Sequence, residues 1–91
     1  MMIYKYPLKQ EITAVQTVVM PAGARMLHVG EQYGDLYVWA MVRPDATPVN
    51  HKFFVLGTGQ PIDHLEFDSK FLGSVQMSTG FVWHVFYKAG E

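Results

Sequence analysis

The chain has 91 residues, no cysteine and a formal net charge of −1 at neutral pH, and 14% of its residues are aromatic while only 16% are charged. This length allows a single domain, because typical domains contain roughly 100–150 residues. The lack of cysteine excludes disulfides, thiolate metal sites and a thiol nucleophile. The seven basic residues are scattered rather than clustered, which argues against binding to nucleic acid through its phosphate backbone.

Few charges and many aromatic side chains in so short a chain leave apolar surface that a small core cannot hide. This surplus predicts a ligand pocket or a partner surface, and assembly into a homo-oligomer is one way to cover it. The N-terminus lacks the basic start and apolar stretch of a secretion signal, and no apolar run approaches the roughly 20 residues that span a bilayer. We therefore expect a cytoplasmic protein with no membrane contact.

Seven β-type runs separated by glycine and proline account for most of the chain, and no stretch keeps a helical period over three turns. The first run is expected to stop at Pro7, because proline lacks the backbone N–H that a strand donates. Short strands at regular spacing predict an all-β domain over residues 1–91, either a small antiparallel sandwich or a barrel. The predicted strands cover residues 2–6, 16–20, 24–32, 36–43, 50–56, 70–77 and 81–88.

The run over residues 36–43 is the strongest strand signal, and it is largely apolar on both faces. One face should pack in the core, while the other needs a second sheet, a subunit or a ligand to cover it. Successive side chains of a strand point to opposite faces. Alternation groups Leu36 with Val38, Ala40 and Val42; Tyr37 with Trp39, Met41 and Arg43; Met26 with His28 and Gly30; and Leu72 with Ser74 and Gln76.

The segment Leu56–Ile62 separates the two β-rich halves of the chain and contains Gly57 and Gly59 on either side of Thr58. Glycine allows positive φ on both sides of the threonine, and a loop of this kind can direct several N–H groups at one anion. Phosphate-binding motifs carry further glycines, a following helix or a lysine, which are missing here, and Pro61 prevents a helix. A tight connection between two strands explains the same residues.

Five short motifs follow one another along nearly the whole chain. They are Ile3–Leu8, Met20–Ala24, Gly57–Gly59 with Pro61 and Ile62, Leu72–Ser74, and His84–Phe86. Together they resemble a family of short phage and prophage proteins described only as a domain of unknown function. That family often has histidine at position 60, where this chain has Gln60, which argues against a proton-transfer or metal role at this position.

The resemblance implies a phage-encoded accessory protein and says little about its mechanism. Small phage proteins that are neither virion parts nor DNA-binding proteins are often counter-defence factors. Some sequester a nucleotide signal made by the host, and others cover a host protein. This statement concerns a class of proteins by analogy.

The residues that could carry catalysis or bind a metal are not arranged in a recognisable motif. The four histidines, at positions 28, 51, 64 and 84, are widely spaced and have no thiol partners, so structural or surface roles are favoured over metal ligation. His64 with Asp63, Glu66 and Asp68 could hold a hard cation, but a solvated acidic turn is the simpler explanation of these residues. The serines lack the motif of an activated nucleophile. We therefore predict no catalytic residue, no metal and no cofactor.

Binding without catalysis is the function that the sequence favours, with a small nucleotide-type host signal as the ligand and no nucleic acid as a partner. A module that covers a host defence protein through the face of Tyr37, Trp39 and Met41 is the first alternative, and a nucleotide-cleaving enzyme is the second. The predicted ligand-binding residues are Gly57, Thr58, Gly59 and Gln60 for phosphate, Arg43 as countercharge, Trp39 and Tyr37 for stacking, and His84 as a hydrogen-bond partner.

Overall fold

The structure, a computed structural model, describes residues 1–11, 15–62 and 65–90. Over these residues the chain forms seven strands and no helix, which confirms the all-β prediction. None of the described segments is a helix long and apolar enough to cross a membrane. The strands are β1 (Met2–Leu8), β2 (Gln16–Pro21), β3 (Arg25–Gln32), β4 (Asp35–Val42), β5 (Pro48–Gly57), β6 (Lys70–Gln76) and β7 (Val82–Lys88).

The strands form two antiparallel sheets around one apolar core, which is the arrangement of a small sandwich. A three-stranded sheet has the order β1-β4-β3, and a four-stranded sheet has the order β2-β5-β7-β6. Every strand contributes buried apolar side chains to the same core. Where β3 approaches β6, the Glu31 carboxylate accepts hydrogen bonds from the N–H and the hydroxyl of Ser78, each at 3.0 Å. These bonds tie the two sheets together at one edge.

Strand β4 lies at the centre of the three-stranded sheet and follows the predicted alternation. Its core-facing side chains are at most 1% exposed, whereas Tyr37, Trp39 and Met41 are half-buried on the opposite side. Because strand alternation is strict in the absence of a bulge, these three residues lie on the outer face of the sheet. The core-facing residues are Leu36, Val38, Ala40 and Val42.

A β-bulge in β3 makes the predicted grouping of Met26 with His28 wrong. The register against β4 shifts between these two residues, and a bulge adds one residue, which reverses the alternation beyond it. As a result Met26 and Val29 are both buried in the core, while His28 is exposed on the outer face.

A second bulge, in β6, makes the predicted grouping of Leu72 with Ser74 wrong as well. The register against β7 shifts between Phe71 and Gly73. Leu72 therefore packs against the core. Phe71 points outward and lies beside Phe86 of β7, with 5.2 Å between the ring centroids.

Strand β1 continues through Pro7 to the buried Leu8, so the predicted stop at proline is also wrong. Pro7 pairs with Tyr37 of β4, and β4 is the neighbour of β1 in the sheet order. An edge strand tolerates proline because one side of its backbone needs no ladder partner. The position of β1 at the edge of the sheet accounts for the continuation.

Strand β5 is enclosed on both faces. Phe53 and Val55 belong to the sandwich core, and Phe54 on the opposite face is also 0% exposed. The chain that follows β5, residues 58–62 and 65–69, returns across this outer face, and we call it the covering segment. Glu66 of this segment lies 3.0 Å from the ammonium groups of Lys52 on β5 and Lys88 on β7. The covering segment therefore lies over the outer face of the four-stranded sheet.

Candidate functional site

The glycine loop, residues 57–60, is a tight turn at the end of β5 that two hydrogen bonds close. The Gln60 N–H donates to the Gly57 carbonyl at 3.2 Å, and the Gly57 N–H donates to the Gln60 side-chain carbonyl at 2.7 Å. Gly59 has a φ of 83°, a left-handed conformation that favours glycine over any residue with a Cβ. Of the two flanking glycines, Gly59 is the one that uses this freedom.

This geometry reduces the number of N–H groups that the loop can direct at a phosphate. The N–H groups of Gly57 and Gln60 are occupied by bonds within the loop. Among the four amides of the described loop, those of Thr58 and Gly59 make no such bond and remain for a ligand. The loop thus offers two N–H donors to an anion instead of four.

The imidazole of His84 connects the glycine loop to the four-stranded sheet. Its Nε2 lies 2.7 Å from the Thr58 hydroxyl, and its Nδ1 lies 2.7 Å from the Ser74 hydroxyl. Ser74 is the direct cross-strand neighbour of His84. A neutral imidazole has one donor and one acceptor nitrogen, so both ring nitrogens can be satisfied at once. His84 therefore holds Thr58 in a fixed position.

The hydroxyl–imidazole pair of Thr58 and His84 resembles a nucleophile and its base, although the third member differs. In hydrolases a carboxylate behind the histidine stabilises the imidazolium that forms during the reaction. Here a neutral hydroxyl, that of Ser74, occupies this position. The arrangement is better suited to orienting Thr58 than to accepting its proton.

Two cavities border the glycine loop. The larger has a volume of about 690 Å³ and lies between the loop with Pro61 and the residues 80–83 of the β6–β7 hairpin. The smaller has a volume of about 320 Å³ and lies over the outer face of the sheet, beside His84 and Phe86. The larger volume falls within the roughly 300–1,000 Å³ of typical small-molecule sites, and the smaller lies at its lower end.

The larger cavity contains an exposed aromatic ring that sequence reasoning did not identify. Phe81 is 65% exposed and its ring is stacked on Trp83, with 5.8 Å between the centroids and 10° between the planes. Trp83 itself is 7% exposed, and its indole N–H donates to the Gln10 side chain at 3.3 Å. Phe81 therefore presents a ring supported from one side. An aromatic residue directly after the turn glycine, Gly80, was the available signal.

Ser74 was also missed, although its position could be inferred. The chain turns at residues 78–80, between the predicted strands 70–77 and 81–88, with a hydrogen bond of 2.9 Å from the Gly80 N–H to the Met77 carbonyl. Counting outward from this turn in both directions pairs Ser74 with His84, as the structure does. Phe71, which lines the smaller cavity, could not be found in this way because the bulge reverses its orientation.

The predicted stacking residues Trp39 and Tyr37 do not lie at the glycine loop. Both belong to the outer face of the three-stranded sheet, whereas His84 alternates with the buried Trp83 and Val85 and so lies on the outer face of the four-stranded sheet. The structure places these two groups on opposite sides of the sandwich. A single small ligand cannot contact both.

The predicted countercharge, Arg43, lies at the far end of the molecule from the loop. It directly follows β4, and its carbonyl accepts a hydrogen bond from Ala46 just before β5 begins. Strand β5 has ten residues and runs from this end to Gly57, a distance of roughly 30 Å at about 3.3 Å per residue. Among the described residues that line the two cavities, none is lysine or arginine.

Trp39, Tyr37 and Met41 form, with His28 and Lys5, a second surface that we call the β4 face. The ring centroids of Tyr37 and Trp39 are 6.1 Å apart, and those of His28 and Trp39 are 5.8 Å apart. The Lys5 ammonium lies 4.6 Å from the centre of the Tyr37 ring. Aromatic side chains thus gather on a face that no described segment covers.

The remaining polar candidates have structural roles. Burial lowers the pKa of His51, which is fully buried and accepts a hydrogen bond from the Gly90 N–H at 3.0 Å. Hydrogen bonds from Lys52 and Lys88 lower the pKa of Glu66. Residues 63 and 64, part of the possible cation site, lie outside the described residues. The described residues contain no cluster of three potential metal ligands.

Comparison with known families places the whole chain in one of them. A family model with the description "Domain of unknown function (DUF7352)" matches residues 1–91. Comparisons with curated proteins and with solved structures gave no match.

Proposed function

The chain belongs to the family described as a domain of unknown function, DUF7352, and because that description assigns no activity, we propose from the site geometry that the protein binds a small nucleotide-type ligand without transforming it. The observation that carries this proposal is the glycine loop at the rim of a 690 Å³ cavity that also contains the exposed ring of Phe81. A nucleotide needs hydrogen-bond donors for its phosphate and an aromatic surface for its base, and this concave site offers both.

The nucleobase would stack on Phe81. This ring is already held by Trp83 beneath it, so little side-chain freedom is lost on binding. Stacking of a base on an aromatic side chain contributes about 1–3 kcal/mol by analogy with single-stranded nucleic acids. Phe81 thus takes the role that the sequence assigned to Trp39 and Tyr37.

The phosphate would bind the amides of Thr58 and Gly59. Hydrogen bonds between N–H groups and a charged acceptor are stronger than neutral ones, and His84 keeps the threonine in place. With no lysine or arginine among the described lining residues, a ligand with several negative charges would lose more hydration than the site returns. We therefore propose a ligand with one phosphate group at most.

We further propose that binding serves sequestration. The resemblance of the chain to short phage and prophage proteins supports a phage-encoded counter-defence protein that acts in the cytoplasm of the host and removes a nucleotide-type immune signal. Assembly into a homo-oligomer through the β4 face would cover its aromatic side chains and leave the glycine loop open, because the two lie on opposite sides of the sandwich.

Calorimetric titration with adenosine, AMP, GMP and ATP tests the binding proposal. We expect AMP or GMP to bind in the micromolar range and more tightly than ATP, and Phe81→Ala to weaken binding about tenfold, the lower part of the stacking range. Phe67→Ala is the matched control, because Phe67 is equally a surface ring and borders neither cavity. No binding of any of the four at high micromolar concentration would overturn the proposal.

The second candidate function is a module that covers a host protein, and the uncovered β4 face favours it. This function predicts a stoichiometric protein partner in a pull-down from host lysate, lost in Trp39→Ala and kept in Phe81→Ala, with no retained nucleotide. A nucleotide-cleaving enzyme would instead convert the bound nucleotide to a product with a new chromatographic peak. Loss of that peak in His84→Asn would identify the Thr58–His84 pair as its source.

A further inference from the structure

The two cavities beside the glycine loop are not independent sites. Gly57, Thr58 and Gly59 line both of them, so the loop is their common wall. A molecule that fills one cavity and extends over the loop enters the other. The site as a whole therefore has two compartments with the loop between them.

Each compartment contains one exposed phenyl ring with a second ring behind it. In the larger compartment Phe81 is stacked on Trp83. In the smaller compartment Phe71, which is 59% exposed, lies against Phe86 with 5.2 Å between the centroids and 56° between the planes. Both compartments thus offer an apolar surface to a planar ring. The two rings are nearly parallel in the larger compartment and tilted in the smaller one.

The wall between the compartments is polar. The amides of Thr58 and Gly59 belong to it, and beside it the Thr58 hydroxyl, the His84 imidazole and the Ser74 hydroxyl form a continuous hydrogen-bonded chain. An apolar–polar–apolar sequence of surfaces matches a ligand whose two ends are planar rings and whose middle is a short polar linker. Because the described lining carries no lysine or arginine, the linker should carry little charge.

We propose that the ligand is a dinucleotide, with one base on Phe81, the other on Phe71 and a single phosphodiester on the amides of Thr58 and Gly59. This inference rests on the proposed function and specifies its ligand class. A phosphodiester carries one negative charge, whereas a polyphosphate linker would bring several into a site whose described lining has no lysine or arginine. The second base adds stacking without a second loss of translational freedom, so a dinucleotide binds more tightly than either half.

The test is a calorimetric comparison of the dinucleoside monophosphates ApA and GpG with AMP and GMP on the wild type, Phe71→Ala, Phe81→Ala and Phe67→Ala. We expect one of the dinucleoside monophosphates to bind at least tenfold more tightly than its mononucleotide. Phe71→Ala should remove about tenfold of the dinucleotide affinity and leave the mononucleotide affinity unchanged. Phe81→Ala should weaken both, and Phe67→Ala neither. Thermal melting of each variant checks that it is folded.

The outcomes separate this inference from the proposed function. Equal affinities for dinucleotide and mononucleotide, or a dinucleotide affinity that Phe71→Ala does not change, would overturn the dinucleotide proposal. The proposed function would still stand if mononucleotide binding depends on Phe81. Binding of a dinucleotide that depends on Phe71 and not on Phe81 would overturn the assignment of the larger compartment. No binding by any probe overturns both.

Discussion

The two outer faces of this sandwich are completed in different ways. The four-stranded sheet is covered by the chain itself, because the covering segment crosses β5 and β7 and its Glu66 pairs with Lys52 and Lys88. The three-stranded sheet has no such cover among the described residues, and its β4 face keeps Tyr37 and Trp39 half-buried at the surface. The aromatic surplus of this chain is therefore divided between an internal layer bordered by two cavities and an open face.

The largest loss of stability is expected when a side chain beneath the covering segment is removed. Phe54→Ala should destabilise the protein by about 3–5 kcal/mol, because Phe54 is 0% exposed and its removal leaves a cavity. Trp39→Ala on the β4 face should destabilise it by only about 1 kcal/mol. Urea denaturation of both variants measures the difference. Equal losses in the free energy of unfolding would contradict the structure, in which Phe54 is buried more deeply than Trp39.

The edge of the covered face depends on the backbone conformation of Gly59. Gly59→Ala should destabilise the protein by about 1–2 kcal/mol, because alanine at a φ of 83° is strained. A Cβ at this position would meet no atom within 4 Å, so strain and not collision is the cause. Denaturant titration measures the loss, with Phe67→Ala in the covering segment as a control of small effect, because the Phe67 side chain is fully exposed. A neutral result for Gly59→Ala would contradict the left-handed conformation.

Strand β5 also carries a pH-sensitive group on its core side, His51. Burial lowers the pKa of His51 below its ordinary value of 6.5, so the folded state binds fewer protons than the unfolded state between these two values. The contribution of neutral His51 to the free energy of unfolding should therefore be fully present above pH 6.5 and should decrease as the pH falls toward the folded pKa. His51→Asn keeps an acceptor for the Gly90 N–H and should flatten this dependence between pH 7 and 5. An unchanged slope in the variant would exclude His51 as its source.

The smallest effect is expected from the charges that hold the covering segment. Hydrogen bonds from Lys52 and Lys88 lower the pKa of Glu66 below its ordinary value of 4.5, so the stabilisation is present above that value and is lost as the pH falls through the folded pKa. Because the pairs are exposed, water and salt screen them. Glu66→Gln should lower the melting temperature slightly at neutral pH and low salt, and the difference should vanish in 1 M salt. A large, salt-independent loss would contradict this explanation.

Features that depend on a single strand could be predicted from the sequence, whereas features that depend on strand pairing could not. The alternation along β4 was predictable because it depends on neighbouring residues of one strand. The orientations of His28 and Phe71 were not, because each follows a bulge that becomes visible only when the strand is paired with its neighbour. Local patterns therefore predicted the fold class, but they assigned side chains of β3 and β6 to the wrong face of the strand.

The candidate site was predictable only in part, for a related reason. The glycine loop could be predicted because glycine and proline act locally, and the structure brings Thr58 into contact with His84. Trp39 and Arg43 were grouped with the loop although β4 belongs to the other sheet. Phe81 reaches the loop through the pairing of Gly57 with Trp83, two residues that are far apart in the chain. Which strand joins which sheet is a tertiary property, so these errors share one physical origin.

The measurement that tests the central claim most directly uses the two tryptophans, since Trp83 lies at the larger cavity and Trp39 on the β4 face. In a nitrogen–proton NMR titration with AMP, we expect the indole signal of Trp83 and the amide signals of Thr58 and Gly59 to shift while the indole signal of Trp39 stays in place. A shift of the Trp39 indole with no change at Trp83, Thr58 and Gly59 would contradict the account and assign the ligand to the open face.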